Sequence, residues 1–360
     1  MQIIAIQDRQ IKNHLAGLER LAERRKKNLE YHQFSILRPI LASLVKFDVQ
    51  RISSEMKLAA RFLWLLLRLP LMKRSIIILG IAPYDIRIVL LCPFLARHHV
   101  YMHNSWPTWS PLATSPKPKY FGLTCKIWRH LVPSMAKGIF CVSQATADSI
   151  RYHYPNWPEC TIVGHSIDES WIITHDELMT KGWSRNVVYV GRMVAEKGIE
   201  DLIKLATKLP DFQFHFVGSG PMVDTVLNAE LPNTRCYGHV SSRSEMARII
   251  DTCSIIAQPS KSTSSWTEAF GIGVLEGMAR GLVPITTDSY GSLAVLGPGL
   301  RNLAVPQDDY VSQFLSFARS FDTSRNMALR VKSWERAASF STDAIATIWE
   351  SLLVRTEALA

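Results

Sequence analysis

None of the six cysteines, at positions 92, 125, 141, 160, 236 and 253, stands in a C-x-x-C spacing. That removes the usual zinc and dithiol motifs and leaves the reduced thiols of a cytoplasmic chain. No apolar run reaches the roughly 20 residues a spanning helix needs. The most apolar stretch, Leu58–Met72, carries Arg61, Arg68 and Pro70. It fits either a core helix or a helix lying in a bilayer interface. The opening run "MQIIAIQDRQ" is too short for a signal-peptide core and fits a first strand. Glycine is absent from the first 16 residues. The G-x-G of Gly218 and Gly220 lacks the rest of a dinucleotide fingerprint, so a nicotinamide reading is poor.

What is present is enough for two domains: 360 residues, 47% hydrophobic and 20% charged. The net charge of +10 is unevenly placed. Residues 1–180 hold 23 Lys+Arg against 13 Asp+Glu, whereas residues 181–360 hold 18 against 18. The whole excess therefore belongs to the first half, which suggests an anionic partner there: membrane lipid, a phosphorylated substrate or nucleic acid. A solvated basic surface is the plain alternative. Arg24, Arg25, Lys26 and Lys27 close a helical pattern over 9–28, where the helix dipole alone favours cations.

Strand and helix patterns alternate throughout, which implies parallel βαβ units. In the first half the strands read as "QIIAI", "HQFSILRPI", "RSIIILG", "HVYMH", "GIFCVSQ" and "CTIVGHSID". His103 ends one of them, where ligands of such sheets bind. Tyr101, Trp106 and Trp109 around it have faces that stack on sugars or lipids, or simply pack. A polar stretch over 169–185 reads as a linker. The second half begins "NVVYVGRMVAEKGIEDLI", in which Arg192 and Lys197 share a strand-to-helix loop. Two cations beside a helix N-terminus make an anion site, Arg192 as a fork and Lys197 as a mobile point charge. Exposed loop charges are the plain alternative.

The richest stretch is "SSWTEAFGIGVLEGMARGLVPITT", from Ser264 to Thr287. Its loop feeds a helix expected from about Val274 to Arg280, closed by Gly281 as a C′ residue and by Pro284. Glu276 falls in the first turns of that helix, where a carboxylate is also simply stabilising. Glu268 lies in a loop of small polar residues, and an acceptor-only group there suits a hydroxyl-rich ligand.

Taken together, "VGRMVAEKG", "FVGSGP", "YGHV" and the E-x7-E pair Glu268/Glu276 resemble the GT-B retaining glycosyltransferases of family 4. The resemblance is dense from Asn186 to about Pro306 and weaker before it, where "PYDIRIVLLCPFLARHHVYMHNSW", "VSQATAD" and "TIVGHSID" resemble family segments. It implies an α/β GT-B fold, two Rossmann-like domains with a donor cleft between them. The expected parts are an acceptor-side domain over 1–168, the linker over 169–185 and a nucleotide-sugar domain over 186–338. A terminal helix over 339–360 would pack back toward the first domain.

The resemblance further implies that Arg192 and Lys197 bind the donor diphosphate and stabilise it as it leaves, with the amides at Gly271 and Ile272. Glu276 would accept from the ribose, Glu268 and His103 would touch the donor sugar, and Val240 would lie at the base. No metal and no cofactor are implied. The partners expected are a UDP- or GDP-linked sugar as substrate, a lipid-linked or saccharide acceptor, and a membrane surface under the basic domain, but no nucleic acid. The expected reaction is cytoplasmic, at the inner face of a membrane, in polysaccharide, lipopolysaccharide or glycolipid assembly. One departure stands out. The family's glycine-rich loop after the first strand is here "IQDRQIKNHLAG". Either another loop does its work, or the acceptor site differs, or the protein is a catalytically impaired GT-B that binds membranes or anions. An epimerase or phosphorylase on this architecture fits the four charged residues less well.

Overall fold

The computed structural model describes residues 2–8, 12–34, 49–111, 121–263, 266–320 and 323–357. The chain forms two units, Met1–His165 with Ala346–Ala360, and Ser166–Ile345.

The first unit is built on six parallel strands: β1 Ile3–Gln7, β2 Leu29–Gln33, β3 Ile76–Gly80, β4 His99–Asn104, β5 Ala136–Cys141 and β6 Cys160–Ile162. They lie in the order β2-β1-β3-β4-β5-β6. The runs "IIAI" and "IIIL" are continuously apolar because helices cover both faces of a parallel sheet, and Ile4, Ile6, Ile77 and Ile78 are fully buried. The patterns expected as strands lie on this sheet with shifted ends. The second begins at Leu29, earlier than "HQFSILRPI", and residues 35–40 of that pattern lie outside the described ones. The helical pattern over 9–28 is a 3-10 turn, Lys12–Leu15, followed by a helix only over Ala16–Arg24; residues 9–11 lie outside the described ones. Lys26 has φ of 50°, which ends the helix there. The basic run is partly spent internally. Arg25 pairs with Glu350 at 2.6 Å and Arg24 donates to Thr347, both on the C-terminal helix Thr342–Glu357. Trp349 of that helix is buried against Phe140.

The second unit carries β7 Asn186–Val190, β8 Gln213–Val217, β9 Thr234–Gly238, β10 Ile255–Gln258, β11 Val283–Thr287 and β12 Ala304–Val305. All pairs are parallel, in the order β12-β11-β10-β7-β8-β9. The chain runs outward from β7 on one side, then returns to run outward from β10 on the other. The crevice between the carboxyl ends of β7 and β10 is therefore the topological switch point, where ligands of such sheets bind. Residues 169–185, expected as a linker, carry a 3-10 turn at Glu169–Trp171 and a helix over His175–Thr180 closed by a Thr174/Glu177 capping box. Buried Trp171 donates from Nε1 to the Glu276 carbonyl at 3.0 Å, which seats this stretch on the second unit.

Candidate functional site

The site is built from the loops that leave β7 and β10. Beyond Val190, Gly191 has φ of 155° and Gly218, beyond β8, has φ of 146°. A side chain on Gly218 would place its Cβ 1.7 Å from the Gly191 carbonyl oxygen, so only glycine lets these strand ends approach. The loop continues through Arg192, whose carbonyl accepts from the Tyr189 hydroxyl at 2.5 Å. Burial, and secondarily Glu268, hold that hydroxyl well above its ordinary range, so it stays a donor. The Arg192 side chain is exposed and has no ion pair among the described residues. A 3-10 turn over Ala195–Lys197 then delivers Lys197, and Gly198 follows at φ of 71° to cap it and to start the helix Ile199–Lys208. A Cβ at Gly198 would lie 2.0 Å from the Pro259 carbonyl oxygen. The β7 and β10 loops thus meet backbone to backbone.

Beyond β10 the chain is stitched to the β7 loop. Lys261 donates through its amide to the Glu196 carbonyl at 2.7 Å and through Nζ to Asp201 at 2.9 Å. The stretch from Ser264 to Thr287 follows, of which Ser264 and Ser265 lie outside the described residues. Glu268 reaches back to form an ion pair with Lys197, both side chains mostly buried. Ser260, itself buried, lies 3.5 Å from the same carboxylate oxygen. The Trp266 ring lies 5.4 Å from the Lys197 ammonium, within reach of a cation–π interaction. Glu268 is also fixed through its carbonyl, which accepts from the Gly291 amide at 2.8 Å. Lysine has three donors, so the pair with Glu268 leaves others for a second acceptor.

The helix over Ile272–Ala279 starts two residues earlier than its pattern indicates, with Gly271 at the N-cap and no side-chain cap. Of its first amides, that of Ile272 donates to the Phe270 carbonyl at 3.0 Å, and no side chain caps the ones that follow. A Cβ on Gly273 would sit 2.6 Å from the Val190 carbonyl oxygen, so this helix start lies against the end of β7. Gly281 takes φ of 76° and ends the helix as its C′ residue.

Glu276 lies in the second turn, beyond the reach of the dipole argument, and no acid occupies the first turn. Burial pushes its carboxyl up to about 6, opposed in part by Arg243. Val240 is half-buried in the loop between β9 and the helix Arg243–Asp251, which Ser242 caps.

The second unit thus brings Lys197 and Glu268 together and sets Arg192, Gly271, Ile272 and Glu276 on the loops and helix around the switch point. His103 belongs to the first unit. It is 4% exposed near the end of β4, stacked on Trp349 and near His165. Burial and the nearby His14 push its pKa down to about 3. Of the three aromatics around it, Tyr101 and Trp109 are buried and pack, and only Trp106 is exposed. Ser260, Trp266 and Tyr189 went unread in the sequence. Trp266 alone left a signal, a large aromatic in a loop of small polar residues.

Two Rossmann-like units with these strand orders define the GT-B fold, and comparison with known proteins agrees. Residues 175–326, within the second unit, match the model of the family "Glycosyl transferases group 1". Among solved structures, the chain is similar to Anabaena Alr3699/HepE in complex with UDP, at 14% identity and TM-score 0.68, over 99% of this chain and 100% of that one. It is similar to the pneumococcal O-GlcNAc transferase GtfA in complex with UDP and GlcNAc, at 18% identity and TM-score 0.60. That likeness covers 81% of this chain but 58% of GtfA. A trehalose-6-phosphate synthase studied for glycosyl transfer with retention matches over 99% of both chains, at 10% identity and TM-score 0.67. No curated protein matches the chain by sequence.

Proposed function

We propose that the protein is a retaining glycosyltransferase of family 4. It moves a sugar from a UDP- or GDP-linked donor to a lipid-linked or saccharide acceptor, in polysaccharide, lipopolysaccharide or glycolipid assembly at the cytoplasmic face of a membrane. The carrying observation is the Lys197–Glu268 pair at the switch-point end of β7, beside the uncapped helix start at Gly271–Ile272.

That arrangement suits a leaving diphosphate. As the bond between anomeric carbon and phosphate oxygen breaks, negative charge grows on the departing phosphate. Arg192, the free donors of Lys197 and the amides of the helix start stabilise it. The same cations do the work for which other enzymes recruit a metal, so the proposed reaction needs none. Glu268 orients hydroxyls of the sugar while fixing Lys197. It is not read as a nucleophile, and Glu268 and Glu276 are not the flanking acid pair of a glycosidase. Glu276 accepts from the ribose and Val240 touches the base. His103 is proposed at the donor sugar; its lowered pKa makes it a neutral hydrogen-bonding imidazole.

Thermal shift of the full chain with UDP, GDP and ADP tests this reading, since a ligand of the folded form raises its melting temperature. One diphosphate is expected to stabilise the protein. Arg192→Ala and Lys197→Ala each weaken that binding by at least about tenfold, as loss of a charge-assisted contact requires. Glu268→Gln lowers turnover more than nucleotide affinity. Undiminished binding in both cation variants would remove the diphosphate assignment.

A second reading, a GT-B protein that binds anions or membranes without transferring sugar, is favoured by the turn after β1. There Asp8 accepts from the Ala82 amide at 2.7 Å and donates its own amide to the Gly80 carbonyl at 3.0 Å, in place of a glycine-rich loop. Slow hydrolysis of the matching nucleotide sugar would reject it.

A further inference from the structure

The helix Val49–Arg68 and the 3-10 turn Leu69–Leu71 that extends it pack one side into the first unit through Ala59, Phe62, Leu65 and Leu69. The outward side is apolar as well. Met56, Leu63, Trp64, Leu67 and Leu71 are 58%, 55%, 60%, 68% and 86% exposed. At about 100° per residue these five positions fall on one stripe along the helix. Exposed Lys57 and Arg61 lie along one flank of it, and exposed Lys73 and Arg74 follow its end. The helix Ile88–Leu95 packs on the turn, where Arg97 just beyond its end donates to the Pro70 carbonyl at 2.7 Å, and its Leu90 is exposed. Single exposed apolar residues need no explanation, but a stripe of this length marks a docking surface.

We propose that this face is an interfacial helix that lies in the headgroup region of an anionic bilayer, with Trp64, Leu67 and Leu71 entering the lipid and Lys57 and Arg61 meeting its charge. An apolar face carrying Trp and Leu with cations at its edge is what such helices need, and Trp is suited to the membrane–water boundary. No helix among the described residues is long and apolar enough to cross a membrane, so contact is at the surface. The charges select lipid over a second copy of this chain. The one acid of the helix, Glu55, is half-buried and accepts from Gln33 at 3.2 Å, so among its described residues the exposed side of the helix carries no carboxylate to answer Lys57 and Arg61. Two such faces together would oppose like charges. This specifies the membrane contact proposed above by naming its residues, and it stands apart from the transfer reaction.

Flotation of the full chain with vesicles tests it. The protein is expected to float with vesicles of equal phosphatidylglycerol and phosphatidylcholine at 0.1 M salt, less at 1 M salt, and far less with phosphatidylcholine alone. Leu63→Glu with Leu67→Glu abolishes flotation. Lys57→Glu with Arg61→Glu weakens it at least about tenfold. Both double variants keep the wild-type melting temperature and nucleotide shift, because all four side chains are exposed. Absence of wild-type flotation overturns the proposal, as does wild-type flotation of the leucine double variant. So does a dimer that the leucine double variant converts to monomer, which would make the face a contact between copies. Loss of nucleotide binding with flotation intact would instead count against the transferase reading alone.

Discussion

At Glu276 burial and chemistry pull in opposite directions. A carboxylate that reads ribose hydroxyls must be ionised, yet burial lifts this one to about 6. Nucleotide affinity should therefore rise as pH increases from 5 to 7, while the carboxyl loses its proton and becomes acceptor-only. The ligand's terminal phosphate titrates near 6 as well. The decisive comparison is thus with Glu276→Gln, which keeps the phosphate's contribution and removes the protein's. Isothermal titration at pH 5, 6 and 7 should give a steeper rise in the native protein, and parallel profiles would exclude the role. The E-x7-E spacing made both carboxylates legible in the sequence, because the loop and helix that hold them are local. The partner of Glu268 was not legible. Lys197 is 71 positions away, and only the alignment of β7 beside β10 brings the two together. Read as a mobile point charge, Lys197 is in fact tied down.

Among the elements, the helix Ile272–Ala279 is held closely at its start. Gly271 and Gly273 flank its first residue, but their surroundings differ. A Cβ on Gly271 would meet Val274 Cγ2 at 3.4 Å, an ordinary contact, at φ of −81°. On Gly273 it would meet a backbone oxygen of β7 at 2.6 Å, and neither partner is a flexible side chain. Gly273→Ala must lift the helix start off the strand. It should cost about 1–3 kcal/mol, as overpacking does, and nucleotide affinity should fall with the displaced amides. Gly271→Ala should change stability by less than about 1 kcal/mol. Urea midpoints together with nucleotide titrations check both, and equal effects would show that the helix start is not held by this approach. Sequence patterning found this helix and its Gly281 terminus, since both depend on nearby residues. It missed the start by two residues, because what fixes that end is a strand more than 80 positions away.

Over the whole molecule, the two units should respond differently to mild acid. In the first, burial lowers the pKa of His14, His32, His98, His103 and His165, with Glu30 partly opposing at His32. A histidine whose pKa is lowered on folding binds fewer protons in the native state than in the unfolded one. Its contribution to stability therefore falls as pH drops below the unfolded value of about 6.5. For the buried His103 and His165 the loss is steepest, because burial disfavours their protonated form most. In the second unit only His215 shows the same shift, and Glu276 works the other way. Its carboxyl is raised on folding, so the stability it contributes is complete below its unfolded value and lost as pH rises through about 6. Between pH 6.5 and 5 the first unit should thus lose stability while the second changes little. Hydrogen exchange followed by mass spectrometry, with the intrinsic pH dependence of exchange divided out, resolves the units separately. Protection should collapse in β1, β3, β4 and β5 at a pH where β7, β8 and β10 remain protected. Simultaneous loss in both sheets would mean that the buried histidines do not control the acid response. Retention in the first unit below pH 5 would mean that its histidines are protonated without penalty.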